Sequence, residues 1–465
     1  MAPSDERDLL HIPPIASELG TRFEKAGHEL YLVGGAVRDA VRGRAGTEMD
    51  FATDAHPQDV IKLLQGWADA RYLVGVRFGT VGARKGEAVL EITTFREEVY
   101  AEDSRHPVVT FAKDVETDLA RRDFTINAMA VRLPDGELVD PHRGLYDLAH
   151  QRLRTPLGPE MAFTEDPLRM LRAARFVSTL GMVPEADVVE AMRALRERLR
   201  IVSAERIRDE LSKLLRGEHV DRGLELVVDT GLADVFLPEL PALRLEQDPV
   251  HRHKDVLRHT LAVVKRCPSE DEEEHPTLRL AALLHDTGKP DTRRITPEGV
   301  QFHHHEVVGA RIAEDRLRAL RYPERVVHDV KALVEMHLRF HTYRLGWSDG
   351  ALRRYVRDAG PLLDKLNLLT RADCTTQNPR KAKVLSELQD DLEQRIAKLA
   401  EEENLRAIRP PLDGNQVMEH LEVEPGPVVG QALSYLLELR MDRGPIDEEE
   451  AYRLLDDWWE QRGGR

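Results

Sequence analysis

The stretch LVGGAVRDAVRGRAGTEMDFATD, residues 32–54, constrains this chain more tightly than any other. Leu30-Tyr31-Leu32-Val33 reads as a strand, and Gly34-Gly35 follows at its end. Glycine lets a backbone approach a phosphate closely and present its N–H groups, because no side chain intervenes. The residues AVRDAVRG continue as a helix, which puts a helix N-terminus, a natural anion site, at the same point. A tight turn would explain the glycines alone. Glu48 and Asp50 add something a turn does not need. On a strand, residues i and i+2 face the same side, so the two carboxylates share one place. Like charges held that close call for a cation, and Mg²⁺, which prefers oxygen ligands and also grips substrate phosphates, suits them. The bland alternative is a solvent-facing acidic edge.

Length and charge set the frame for that site. The 465 residues suggest two to four domains, and 41% hydrophobic content is enough to build their cores. A net charge of −16 gives no global attraction to nucleic acid, so any such binding must come from local arginine clusters. Cys267 and Cys374 stand far apart in no CxxC pair, which fits a reducing cytosol rather than a disulfide scaffold. The opening residues MAPSDERDLLHIPPIASELG lack a basic segment followed by an apolar run, and no stretch is apolar enough to span a bilayer. A cytoplasmic chain with no membrane association and no obligate protein partner is expected.

Composition changes along the chain. Up to about residue 150, short β-like runs alternate with turns, and GTVGARKGEAVLEITTFR reads as a hairpin turning at Lys85-Gly86-Glu87. Beyond that the pattern is helical. IVSAERIRDELSKLLRG has Ile207, Leu211, Leu214 and Leu215 at helix spacing, Ser203 as N-cap and Gly217 as stop. Three prolines in 236–250 mark a boundary. Eleven of the nineteen histidines fall between His251 and His341, a clustering that helix formation does not require. A charged helix opens the tail near residue 400, and the acidic run at 270–274 reads as a solvated loop.

Two further segments suit nucleotides. In RRDFTINAMA (121–130), Arg122 can bridge phosphates with its planar fork of donors. Asp123 and Asn127 can bond a ribose or order the backbone, or simply cap a helix. TEDPLRMLRAARF (164–176) reads as a helix starting at Thr164, with Asp166, Arg169, Arg172 and Arg175 recurring every three residues. Such a face can match the edge of a base, although surface i,i+3 ion pairs would look the same.

In this order, LVGGAVRD, E-M-D, RRDFTINAMA, EDPLRMLRAARF and SAERIRDEL resemble the class II tRNA nucleotidyltransferase and poly(A) polymerase family over about the first 240 residues. The remainder resembles the bacterial CCA-adding members that append an HD domain. The resemblance implies an α+β fold, with a mixed-sheet nucleotidyltransferase head (1–150) and a helical neck carrying the base-reading helix (151–240). A helical HD body (241–400) and a helical tail (401–465) follow. It implies Gly35 and Arg38 at the nucleotide phosphates, Glu48 and Asp50 as catalytic Mg²⁺ ligands, and Arg122 near sugar and phosphates. Asp166 and Arg169 would read the base of CTP or ATP, with Arg172 and Arg175 nearby and tRNA as the acceptor. The family usually has Asp-x-Asp. Glu48 keeps charge and ligand type but adds a methylene, which Mg²⁺, near-octahedral at about 2.0–2.1 Å, would register as slower catalysis rather than lost binding. Glu91 on the hairpin is a possible third carboxylate, with its strand face undetermined.

His285-Asp286, at the end of an apolar helix before Gly288-Lys289, resembles the signature of HD phosphohydrolases. The resemblance makes His259 the upstream and Asp373 the downstream ligand, with His305, His337 and His341 as further candidates. Imidazole with carboxylate suits a transition metal such as Ni²⁺, Mn²⁺, Fe or Zn²⁺. The expected activity is CMP and AMP addition to tRNA 3′ ends. The rivals are poly(A) synthesis, a phosphohydrolase with a decayed head, and a non-catalytic tRNA binder. Candidate tRNA contacts are RRYVR at 353–357 and PRKAK at 379–383.

Overall fold

The computed structural model describes residues 12–463 apart from 45–46, 100–107, 113, 246–254, 271–274, 298, 375–377 and 404–407. Most of the acidic run at 270–274 and the first eleven residues therefore lie outside the described residues. The chain divides into two compact units, Met1–Pro238 and Glu239–Arg465.

The first unit is built on a seven-stranded mixed sheet. Its strands are β1 (Leu30–Val33), β2 (Glu48–Thr53), β3 (Ala70–Tyr72), β4 (Thr80–Lys85) and β5 (Ala88–Thr94), followed beyond a separate hairpin of β6 (Arg96–Val99) and β7 (Val108–Phe111) by β8 (Ala130–Leu133) and β9 (Leu138–Val139). The order across the sheet is β3-β4-β5-β2-β1-β8-β9, with β2 and β5 parallel and the other neighbours antiparallel. Alternation along each strand explains the layering. Leu30, Leu32, Met49, Phe51, Val81, Ala83, Leu90 and Ile92 all point to one face and form the main core with Leu19 and Phe23 of α1 (Pro14–Lys25), Val37 of α2 (Gly35–Val41), and Val60 and Leu64 of α3 (Pro57–Leu64). Tyr31, Val33, Ala52 and Ala130 point to the other face, under a smaller core with Phe95 and Leu119. The β2 burial pattern shows the consequence: Glu48 and Asp50 are exposed on that second face while Met49 and Phe51 are buried on the first.

The hairpin forms, with Lys85 opposite Ala88 and only Gly86-Glu87 in the turn. Gly86 takes φ +59°, the left-handed region a two-residue turn demands. The further helices of this unit include α4 (Val115–Ala120), α5 (Gly144–Ala149), α6 (Pro159–Glu165), α7 (Leu168–Leu180), α8 (Ala186–Leu195) and α9 (Ala204–Leu215). One sequence expectation fails here. Thr164 does not cap the arginine helix; it lies in the last turn of α6, and α7 begins only at Leu168. Asp166 between them is extended (φ −133°, ψ 99°), as a residue preceding proline should be. Asp166 is thus a linker residue that accepts the Leu168 N–H (3.1 Å). Ser203 occupies the N-cap position of α9 but makes no side-chain cap bond.

In the second unit the helix Val256–Arg266 packs against Thr277–Leu284, an entirely buried helix, and against Leu363–Asp373. The helices His305–Ala319 and Glu324–Met336 complete this bundle. The helix that reads as charged near residue 400 runs Pro379–Glu403. A separate small core formed by Leu412, Val417, Leu436, Leu455 and Trp458 holds the last three helices together. Among the described residues no helix is long and apolar enough to cross a membrane.

Candidate active site and candidate metal centre

Beside β2 lies a cleft of about 570 Å³, lined by Gly35, Arg38, Asp50, Asn127, Arg172, Arg175 and Phe176. Arg42, Arg44, Lys213 and Arg216 line it too, so seven cationic side chains meet in a chain that is acidic overall. Those last four were not anticipated. Arg42 and Arg44 follow the end of α2, Lys213 lies on α9 and Arg216 caps it, and only the fold brings them together.

The glycine turn sits at one edge of the cleft. Gly34 takes φ +70°, and a Cβ there would lie 2.9 Å from Arg122 Nη1. The position therefore needs glycine twice, for its backbone and for the guanidinium that passes over it. Arg122 Nη2 donates to buried Asp118 (3.0 Å), which also takes Arg121 (2.6 Å). Burial pushes the Asp118 carboxyl up, but the two guanidiniums outweigh it and hold it below the usual carboxylate range.

A polar chain links the sheet to α7. Arg38 Nη1 donates to Asn127 Oδ1 (2.8 Å), and Asn127 Nδ2 to Asp123 Oδ1 (3.0 Å). Asp123 Oδ2 then pairs with Arg172 Nη2 (2.7 Å). Asp123 also accepts the Phe124 N–H (2.8 Å), so it both orders the backbone and anchors an arginine. Arg175 pairs with Glu210 of α9 (3.0 Å) and, with Arg38, holds its guanidinium near the ring of Phe176, 4.5 and 5.6 Å from the centroid.

The three arginines spaced along α7 therefore diverge in surroundings. Arg172 and Arg175 line the cleft, whereas neither Asp166 nor Arg169 is part of its lining. Arg169 is buried and donates to Glu165 (3.0 Å), Ala162 O (3.3 Å) and Arg121 O (2.7 Å). Asp166 Oδ2 accepts from Arg206 Nη2 (2.7 Å), a partner the sequence pattern did not suggest.

The carboxylates contrast with these satisfied cations. Among the described residues Glu48 and Asp50 form no ion pair, and Glu91, on the adjacent parallel strand, stands directly opposite Asp50 on the same face. Although both side chains reach solvent, desolvation by the protein on their inner side, then Glu48, raises the Asp50 pKa against the pull of Arg122 and Arg172; desolvation, Asp50 and Glu48 raise that of Glu91. Three like charges side by side at the rim of a basic cleft fit a bound divalent cation.

The second constellation is closed where the first is open. His259 Nε2 lies 2.9 Å from Asp373 Oδ1, and His285 Nε2 lies 3.6 Å from the same oxygen and 3.3 Å from Asp286 Oδ2. His305 Nε2 is 3.5 Å from Asp286 Oδ1. The donors form two sets of three, His259/His285/Asp373 and Asp286/His305/His337, each with all its ligand atoms within 4.8 Å of one another. His341 approaches Asp373 (3.6 Å) from an exposed position and belongs to neither set.

Each central imidazole is oriented in the same way. His285, His305 and His337 place Nδ1 against the carbonyl three residues earlier, at 2.7, 2.8 and 2.6 Å. Nδ1 must carry the proton there, leaving the Nε2 lone pair free. All three Nε2 atoms are buried without a hydrogen-bond partner, which is how metal-ligating imidazoles are prepared and is costly otherwise. Burial pushes the His285 pKa down, yet Asp286 and Asp373 drive it up to about 10, so without a metal its Nε2 takes a proton in the place a cation would fill. Burial and the neighbouring His285 charge push His337 down to about 3. The residues fit a transition-metal ion.

The expected tRNA contacts fare differently. In the 353–357 segment Arg353 is buried against Met441 O (2.9 Å), Arg354 pairs with Glu438 and Asp442, and Arg357 pairs with Asp358. The 379–383 segment is an exposed helix face. Cys267 and Cys374 are both free thiols.

Known proteins share this architecture. A family model described as the poly A polymerase head domain matches residues 30–154, and one described as a probable RNA and SrmB-binding site of polymerase A matches 181–243. An HD domain model matches 256–404. The chain is 35% identical over 441 residues to the A-adding tRNA nucleotidyltransferase of Deinococcus radiodurans, covering 93% of this chain and 96% of the relative. It is 33% identical over 448 residues to the CC-adding tRNA nucleotidyltransferase of Thermus thermophilus, covering 94% of each. The crystal structure of the Bacillus stearothermophilus CCA-adding enzyme in complex with CTP superposes with a TM-score of 0.71 at 26% identity, covering 97% of this chain and 99% of that one. The chain belongs to the class II tRNA nucleotidyltransferase and poly(A) polymerase family, in the branch that carries an HD domain.

Proposed function

We propose that this protein adds CMP and AMP, from CTP and ATP, to the 3′ end of tRNA, releasing pyrophosphate, in the cytoplasm. The observation that carries the reading is the unpaired Glu48–Asp50 pair at the rim of a cleft lined by seven cationic groups. A nucleoside triphosphate carried with a divalent cation suits that pairing of open carboxylates with guanidiniums, and full-length relatives are named for transfer to tRNA. Glu48 and Asp50 would hold Mg²⁺, which when bound supplies charge neutralisation at the phosphoryl oxygens and acidifies the attacking hydroxyl. The backbone turn Gly34-Gly35, Arg38 and Arg122 hold the triphosphate. Asp123 and Asn127 keep Arg38 and Arg172 in register. Positioning and electrostatics do most of the work, since no covalent intermediate with the protein is needed.

Selection of C and A falls to Asp166 and Arg169, which must trade their present partners Arg206 and Glu165 for the base edge. Arg169→Ala then relaxes the choice among nucleotides more than it slows total incorporation. A uniform loss with selectivity kept would make Arg169 a strut for Arg121 instead.

In the second unit His259, His285, Asp286 and Asp373, with His305 and His337, hold a transition metal, and that centre supports phosphohydrolase chemistry. The test of the main reading is to offer tRNA lacking its terminal CCA with each labelled nucleotide in turn. Incorporation of CMP followed by one AMP supports it. Uninterrupted AMP addition would replace it with poly(A) synthesis, and no incorporation beside retained phosphatase activity would mean a decayed head.

A further inference from the structure

The face of the sheet that carries the carboxylates does not end at them. Cross-strand registers run Asp50–Glu91–Gly82–Tyr72 through β2, β5, β4 and β3, so these four residues share one row on one face. A second row runs Glu48–Val89–Arg84 beside it. Tyr72 is 50% and Val89 41% exposed, and Arg84 is exposed as well. An open strip of aromatic, aliphatic and cationic side chains thus leads from the carboxylates to the sheet edge.

Gly82 shapes that strip. A Cβ there would come within 3.1 Å of Tyr72 Cβ and 3.4 Å of its Cδ2, so the ring leans inward over the glycine, toward Glu91. An exposed tyrosine on an edge strand needs no such accommodation. Direction matters too. The basic cleft that suits a triphosphate opens on the α7 side of Asp50, and in-line displacement brings the attacking hydroxyl from the side opposite the leaving pyrophosphate. The row through Glu91 and Gly82 leaves Asp50 toward the other end of the sheet. Three strand spacings, roughly 14 Å at ~4.8 Å each, separate Tyr72 from Asp50, a distance the last few nucleotides of an RNA end cover at ~3.4 Å per stacked base.

We propose that Tyr72, leaning over Gly82, is a stacking platform for an unpaired base near the 3′ end of the acceptor RNA. The inference rests on the transfer reading above and adds where the acceptor lies. Aromatic stacking is tolerant of base identity, so the platform suits an end whose last base changes as nucleotides are added.

The test compares Tyr72→Ala and Tyr72→Phe with the wild type, using a tRNA transcript that lacks CCA and carries 2-aminopurine as its last base. Tyr72→Ala should raise KM for the transcript about tenfold, within the range of lost base stacking. KM for CTP and ATP should stay within about twofold, and Tyr72→Phe should behave as wild type. Wild type and Tyr72→Phe should quench 2-aminopurine on binding, and Tyr72→Ala should not. An unchanged transcript KM in Tyr72→Ala, or a rise in nucleotide KM instead, overturns the platform. Quenching by a wild type that incorporates nothing would leave the platform standing and remove the transfer reading.

Discussion

The two acidic sites of this protein solve opposite problems. In the head, Glu48, Asp50 and Glu91 stand exposed and unpaired while the cations around them are tied to other groups: Arg172 to Asp123, Arg175 to Glu210, Arg122 to Asp118. In the second unit Asp286 is buried and Asp373 half-buried, and both are already surrounded by imidazoles, with Lys289 donating to Asp286 at 2.6 Å. An open site of this kind waits for a ligand that arrives with its own phosphates, as Mg²⁺ sites do, since that ion rarely sits in an all-protein cage. A closed set of nitrogen and oxygen donors with fixed tautomers suits a resident ion instead. The same residue class, an aspartate, is therefore read differently according to what already touches it.

The comparison breaks most readily at its two centres. Asp50→Asn should abolish nucleotide incorporation, by well over the ~10–100-fold that loss of an outer partner of a metal site costs. The retained transition metal should be unaffected. His285→Ala should do the reverse: metal retained through dialysis, measured by atomic spectroscopy, falls away, while incorporation stays within about twofold. If His285→Ala stops incorporation in a protein that still folds by circular dichroism, the two sites are not independent.

A smaller effect tests the length of one side chain. Glu48→Asp should raise the incorporation rate about three- to tenfold, because the glutamate offsets its carboxylate by a fraction of an ångström where a full 1 Å error costs ~100-fold. A slower Glu48→Asp variant would show that the glutamate is matched to this backbone rather than tolerated by it.

Much of the open site was legible in the sequence because its parts are local. Two glycines, E-x-D and the RRD segment each carry their chemistry within a few residues, and one residue of each, Gly35, Asp50 and Asn127, lines the same cleft. What was not legible depended on single-residue shifts or on distant packing. The strand face of Glu91 hinged on whether the hairpin turn holds two residues or three, since a slip of one moves every side chain to the other face. Thr164 looked like a cap because acids and an early proline follow it. The same Pro167 in fact forces Asp166 to be extended and splits the segment into two helices. Arg42 and Arg44 lie inside the opening stretch, yet nothing local aims them at the cleft, and Lys213 and Arg216 had no motif to announce them, because they reach it only once α9 packs beside α7.

The smallest effect is the most diagnostic of how the open site stores its charge. Burial, Asp50 and Glu48 raise the folded pKa of Glu91 above its ordinary value. Between those two values the folded state holds more protons than the unfolded one, so stability falls as pH rises through that window. Above it the full repulsion among the three carboxylates is present. Glu91→Gln removes one of the charges and titrates nowhere in that range. It should therefore raise Tm slightly at pH 7–8 in EDTA, within the ~0.5 kcal/mol typical of surface substitutions. The gain should vanish below about pH 4, where the wild-type carboxyl is protonated in both states. Saturating Mg²⁺ should also erase it, because the ion supplies the missing counter-charge. The histidine centre offers no such gain: removing a carboxylate there, as in Asp286→Asn, leaves buried imidazoles and Lys289 without their partner and lowers Tm at neutral pH. A Glu91→Gln variant that is less stable at pH 7–8 in EDTA would mean that its carboxylate is already satisfied, and the contrast between the two sites would lose its physical basis.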